Sequence, residues 1–174
     1  MIIIITGASH TGKTLLAQRM LEEYHFPYLS IDHLKMGLIR SGNTALTPYD
    51  DEELTDYLWP IVREIINTAI ENQQNLIVEG CYIPFDWRND FNEQYLASIR
   101  FICLAMTDRF IDKHFDEIKN HGSDIETRLD DADITPDSLK EDNRYYMNGF
   151  HQSGKQVTLI DTDYDMIIKT ILEE

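Results

Sequence analysis

The chain has 174 residues, 43% hydrophobic and 26% charged, a composition that suits one soluble globular domain spanning 1–174. Its 31 acids against 15 lysines and arginines give a formal net charge of -16, a field that repels a phosphate backbone and argues against a protein that coats nucleic acid. Two cysteines, Cys81 and Cys103, are too few for a disulfide framework or a zinc cluster and read as buried thiols beside apolar strands; no apolar run approaches a membrane span, and the opening run is too short for a leader core. A cytoplasmic protein is the expectation.

Residues 2–5 are four consecutive isoleucines, an apolar run with no polar face, as a buried parallel strand requires. It ends at Thr6-Gly7, and Leu15, Leu16, Met20 and Leu21 then mark an amphipathic helix. A short second strand over residues 28–31 ends at Asp32. Thr47-Pro48-Tyr49-Asp50 reads as a helix start with Thr47 as N-cap and Pro48 at the first helical position. Behind it Leu54, Leu58, Ile61, Val62, Ile65, Ile66, Ala69 and Ile70 recur at helical spacing, with Pro60 predicting a kink or two abutting helices. Residues 75–78 form a third strand ending at Glu79-Gly80, residues 99–105 a fourth and residues 156–160 a fifth. Thr107-Asp108 and Thr135-Pro136-Asp137 open further helices. A last helix begins at Asp163 and should turn Met166, Ile167, Thr170 and Ile171 inward. Alternating buried strands and helices predict a doubly wound α/β sheet, which binds ligands at the carboxyl ends of its strands.

One motif carries chemistry outright. Gly7-Ala8-Ser9-His10-Thr11-Gly12-Lys13-Thr14 fits G-x-x-x-x-G-K-[ST] without a mismatch, between a strand and a helix. Glycines let backbone N–H groups curl round a phosphate, and the helix N-terminus adds partial positive charge. Lys13 would set an ammonium against the β- and γ-phosphates of ATP, and the Thr14 hydroxyl would bind Mg²⁺.

The strand-end acids suggest what happens to the phosphate. Asp32 could accept the proton of an acceptor hydroxyl or orient it, and Lys35, three residues on, could hold an anionic substrate or the transferring group. Glu79 could hold a metal-bound water or reach the acceptor. His33 reads as a surface residue. Tyr49, Tyr57, Trp59 and Tyr82 are aromatic residues that could line an acceptor pocket or fill the core.

Together these pieces resemble the P-loop small-molecule kinases: adenylate, shikimate and gluconate kinases and the zeta-toxin and chloramphenicol phosphotransferase groups. Glu79-Gly80 followed by Tyr82-Ile83-Pro84 is most similar to the 2-phosphoglycerate kinase-like branch. The resemblance implies a three-layer fold with a parallel five-stranded sheet of order 2-3-1-4-5, helices on both faces and a helical lid. It implies a substrate-binding helical segment near residues 33–72 and a lid near 107–154. It gives Asp32 the position of the acceptor-binding or general-base acid, and Lys35 and Arg88 positions where relatives hold the acceptor with arginine. Arg128, then Arg144, are the lid arginines expected on the phosphates, and Arg109 the adenine-side residue. The lid departs from its relatives: its basic residues are spread out among acids.

Competing readings fare less well. A GTPase switch would carry N-K-x-D, which is absent, and a polynucleotide kinase would prefer a basic groove. The expected function is therefore ATP- and Mg²⁺-dependent phosphoryl transfer to a hydroxyl or phosphate of a small metabolite or nucleotide. A zeta-toxin-like kinase and a nucleotide-binding regulatory protein are the alternatives. No nucleic-acid or membrane partner is expected.

Overall fold

Four isoleucines in a row can be satisfied only by burial on both faces, and in the computed structural model Ile2, Ile3, Ile4 and Ile5 have no solvent exposure at all. They lie in β1 (Ile2–Gly7), the central strand of a five-stranded sheet of order β2-β3-β1-β4-β5. The structure describes residues 1–121 and 134–173. In chain order β1 is followed by α1 (Lys13–Tyr24), β2 (Tyr28–Ser30), α2 (Ile31–Arg40), α3 (Asp51–Glu71) and β3 (Leu76–Glu79). A 3-10 turn (Trp87–Asp90), α4 (Glu93–Leu96), β4 (Ile99–Met106), α5 (Asp108–His121), α6 (Pro136–Gln152), β5 (Thr158–Ile160) and α7 (Tyr164–Glu173) complete it. The strands are all parallel with helices around them, the α/β architecture and strand order that the sequence led us to expect. Registers run Ile2↔Leu76 to Ile5↔Glu79 between β1 and β3, Tyr28↔Ile77 to Ser30↔Glu79 between β2 and β3, and Leu104↔Thr158 to Met106↔Ile160 between β4 and β5.

The chain divides into two compact units. One comprises Met1–Thr6 with Ala17–Ile102, the other Gly7–Leu16 with Cys103–Glu174. In the first, α3 buries Leu54, Leu58, Val62, Ile66 and Ala69, the apolar stripe of the sequence. Trp59 donates its indole N–H to Asp90 at 2.7 Å, and Trp87 packs against Phe91 and Phe101. In the second, α6 is tied to α5 by the Lys140–Asp112 and Arg144–Asp108 ion pairs. Buried Asn143 accepts the Met106 N–H at 2.6 Å and donates to the Leu139 carbonyl at 2.7 Å.

Four local expectations are corrected. Thr47 is not an N-cap: Asp50 accepts from the Thr47 amide at 2.6 Å and hydroxyl at 2.8 Å, closing a turn, and α3 starts after Asp50. Of the two alternatives at Pro60, abutting helices are ruled out: α3 runs through it as one helix. Residues 56 and 60 are both exposed, so water can take over the carbonyl that Pro60 leaves without a donor. Strand β2 stops at Ser30, so Asp32 lies in the first turn of α2 rather than at a strand end. In α7, which Asp163 caps by accepting from the amides of Asp165 and Met166, the packed stripe runs through the i, i+3 pair Ile168 and Ile171, while Met166 and Thr170 are exposed. The Thr135 start is as expected, a capping box in which Thr135 and Ser138 each bond the other's amide.

Candidate active site

In the second unit the loop between β1 and α1 is built in the shape that a phosphate needs. Gly7 has φ +132°, and a Cβ there would come within 1.9 Å of the Leu104 carbonyl oxygen. Gly12 has φ +75°, and its Cβ would come within 1.9 Å of the Tyr164 hydroxyl. At Gly7 both the backbone conformation and a backbone contact exclude a side chain; at Gly12 the left-handed conformation disfavours one, and the Tyr164 hydroxyl would have to move. His10 is also left-handed, at φ 62°, and continues the curl. The turn is fastened inside. The Thr11 hydroxyl donates to the Ala8 carbonyl at 2.8 Å, and the Lys13 ammonium donates to the same oxygen at 2.7 Å. Lys13 is only 5% exposed, so its ammonium is held beneath the loop. The Tyr164 hydroxyl donates to the Gly12 carbonyl at 2.9 Å, tying α7 to the loop.

Two neighbours of the loop were not legible in the sequence. Asp142 of α6 accepts the Ser9 amide at 2.7 Å, across 133 residues, and Tyr164 reaches Gly12 across 152. Nothing local in the sequence marks either. Cys103 of β4 is buried and feels the Lys13 charge. Burial pushes its thiol up to about 12, with Lys13 opposing the shift. It is an inert packing thiol; Cys81 is half-buried.

The first unit gathers a second polar group. The Lys35 ammonium lies 2.6 Å from Asp32 Oδ1 and donates to the Tyr82 hydroxyl at 2.8 Å. It also sits 4.9 Å from the Tyr82 ring centroid, a cation–π distance. Tyr82 donates to Asp51 Oδ1 at 3.1 Å. Burial raises the Tyr82 phenol far above its ordinary range, and the Asp32 and Asp51 charges raise it further. Asp32 and Lys35 were read from the sequence. Asp51, the first residue of α3, carries no local signal because Tyr82, which donates to it, is 31 residues away along the chain. Tyr82 had been one of several aromatic candidates. Of the others, Tyr49 is 74% exposed and Trp59 is packed in the core. Glu79 is 1% exposed at the carboxyl end of β3, in register with Ser30.

The arginines are less gathered. Arg88, on the 3-10 turn, holds its guanidinium 5.7 Å from the Trp87 ring centroid. Arg109 is exposed on α5. Arg144 is ion-paired to Asp108, whose hydrogen bond and charge hold the guanidinium above its ordinary range. Arg128 lies outside the described residues.

These donors fit a nucleotide with Mg²⁺. Left-handed His10 and Gly12 curl the loop, and a buried ammonium lies under it. Thr14, half-buried, follows Lys13 at the start of α1. Among the described residues no cluster of three or more His, Cys, Asp or Glu could hold a metal by itself.

No protein-family model matches the chain, and no curated protein matches its sequence. Solved structures do match in fold. A gluconokinase from Sinorhizobium meliloti 1021 superposes with a TM-score of 0.54 at 14% identity, over 98% of this chain and 89% of that one. A shikimate kinase from Aquifex aeolicus gives 0.51 at 13% identity over 99% and 94%. A deoxyadenosine kinase from M. mycoides gives 0.55 at 14% identity over 99% and 95%.

Proposed function

We propose that the chain, whose fold is that of the P-loop small-molecule kinases, is an ATP- and Mg²⁺-dependent phosphotransferase acting on a small metabolite. The reading is carried by one observation: a glycine loop curled between a strand and a helix, with its lysine buried beneath it. In this reading loop amides beyond Ser9, whose own amide is held by Asp142, and the Lys13 ammonium hold the β- and γ-phosphates. The Thr14 hydroxyl would ligate Mg²⁺, and Glu79 would hold a metal-bound water. Bound Mg²⁺ supplies charge neutralisation on the phosphate oxygens.

Asp32 accepts the hydrogen of the acceptor hydroxyl and holds it in line. Lys35, bonded to Asp32 and Tyr82, orients that carboxylate. Arg144 would exchange Asp108 for phosphate oxygens, with Arg128 and Arg109 as the other lid candidates and Arg88 on the acceptor side. Catalysis of this kind is positioning and electrostatic stabilisation. The single-domain organisation, the substrate segment 33–72, the lid 107–154 and a cytoplasmic setting belong to the same proposal. Among the described residues no helix is long and apolar enough to cross a membrane.

The test is acceptor-dependent ADP formation with Mg²⁺ over a panel of sugars, glycerates, nucleosides and nucleotides, with Lys13→Ala beside it. An acceptor that raises turnover at least about tenfold over water, and a variant that loses this, support the proposal. Tight ATP binding without acceptor-dependent turnover would favour a regulatory nucleotide binder.

A further inference from the structure

We propose that the phosphoryl acceptor is a hydroxyl-rich molecule without negative charge, of the sugar or nucleoside kind, and that Ser30 joins Asp32, Asp51 and Tyr82 in holding it. This rests on the kinase reading above and deepens it.

Charge is the first argument. The group around Tyr82 contains two carboxylates and one ammonium. The Lys35 side chain is only 12% exposed, and its ammonium is committed to Asp32 at 2.6 Å and Tyr82 at 2.8 Å. A carboxylate or phosphate on the acceptor would need a cation to meet it; Lys35 is already paired with Asp32, and Arg88 holds its guanidinium against the Trp87 ring. The acceptor's own negative charge would instead meet the uncompensated carboxylate of the pair. Hydroxyl groups suit the same atoms well, because carboxylates accept hydrogen bonds from them and the phenol can accept as well. The raised phenol of Tyr82 reports the same negative field.

Ser30 is a second and independent observation. It is 3% exposed and occupies the N-cap of α2, where a serine hydroxyl ordinarily accepts from the helix amides. Here it makes no cap bond, and among the described residues its Oγ has no hydrogen-bond partner. A buried hydroxyl left that way is costly unless a ligand or water completes it. Its register with Glu79 puts the two side chains on one face of the sheet, two residues before Asp32. The unused hydroxyl therefore stands at the carboxyl end of β2, beside Glu79 and just before Asp32 in the first turn of α2, where parallel sheets bind ligands.

The experiment compares acceptors matched in shape and differing in charge: glucose with glucuronate, galactose with galacturonate, and adenosine with its monophosphate. The uncharged member of the productive pair should have kcat/KM at least about tenfold higher. Ser30→Ala should raise the KM for that acceptor about fivefold and leave the KM for ATP unchanged, with the thermal midpoint followed to show that the variant folds. Asp51→Asn should narrow the gap between charged and uncharged members. A charged member that is the better substrate overturns this inference and leaves the kinase reading standing. Unchanged acceptor KM in folded Ser30→Ala removes Ser30. No acceptor-dependent turnover with any compound, while ATP still binds, brings down the kinase reading and this inference with it.

Discussion

Asp32 and Lys13 divide the chemistry at the scale of single residues, and their variants should fail differently. Lys13 acts on phosphate, so its loss should weaken nucleotide binding as well as transfer. Asp32→Asn keeps the shape and the Lys35 contact but weakens the acceptor of the hydroxyl proton. Its kcat should fall by about 10² to 10⁴, with ATP affinity within about twofold of wild type. An unchanged kcat would remove Asp32 from the chemistry. Cys103 gives a prediction in pH. Its thiol stays protonated to about 12 in the folded protein, against an ordinary value of 9.0, because burial disfavours the thiolate. The unfolded chain therefore binds fewer protons above pH 9, and stability should be full below that and fall as pH rises towards 12. Tyr82, raised by burial and two carboxylates, acts in the same direction. Alkaline urea melts of wild type and Cys103→Ala should show a shallower decline in the variant; parallel curves would contradict the assignment.

Elements show where sequence patterns are sufficient and where they stop. Four isoleucines, the α3 stripe and the Thr135 capping box are local signals, and each produced its element. Thr135→Ala should cost about 1 kcal/mol, read from denaturant melts, because it removes the acceptor for the Ser138 amide. Thr47 carried an equally good local signal, yet Asp50 captured its hydroxyl and amide and shifted the helix start. In α7 the apolar residues Met166, Ile167, Ile168 and Ile171 allow more than one stripe at helical spacing, and packing buries Ile168 and Ile171. Pro60 offers a test of the helix that absorbed it. Pro60→Ala should restore a donor on an exposed face and stabilise the protein by up to about 3 kcal/mol; a lower melting midpoint would mean that the proline ring packs usefully.

At the scale of the whole molecule, the phosphate loop was legible because its residues are contiguous and its chemistry needs no partner beyond glycine, lysine and threonine. The strand order followed from resemblance rather than from the residues themselves. The contacts that finish the site were not legible. Asp142 on the Ser9 amide, Tyr164 on the Gly12 carbonyl and Asp51 on Tyr82 are made by distant segments, and only the fold brings them together. Lys35 could hold an anion by its position in the chain, but in the fold it is bonded to Asp32 and Tyr82, which favours an uncharged acceptor.

The most direct measurement is phosphorus NMR of ATP and Mg²⁺ incubated with the protein and a mixed set of sugars and nucleosides, wild type beside Lys13→Ala. The account predicts a new phosphomonoester resonance that grows as the γ-phosphate signal of ATP declines, with the variant silent. Loss of the γ-phosphate signal to inorganic phosphate alone, or equal transfer by Lys13→Ala, would contradict it.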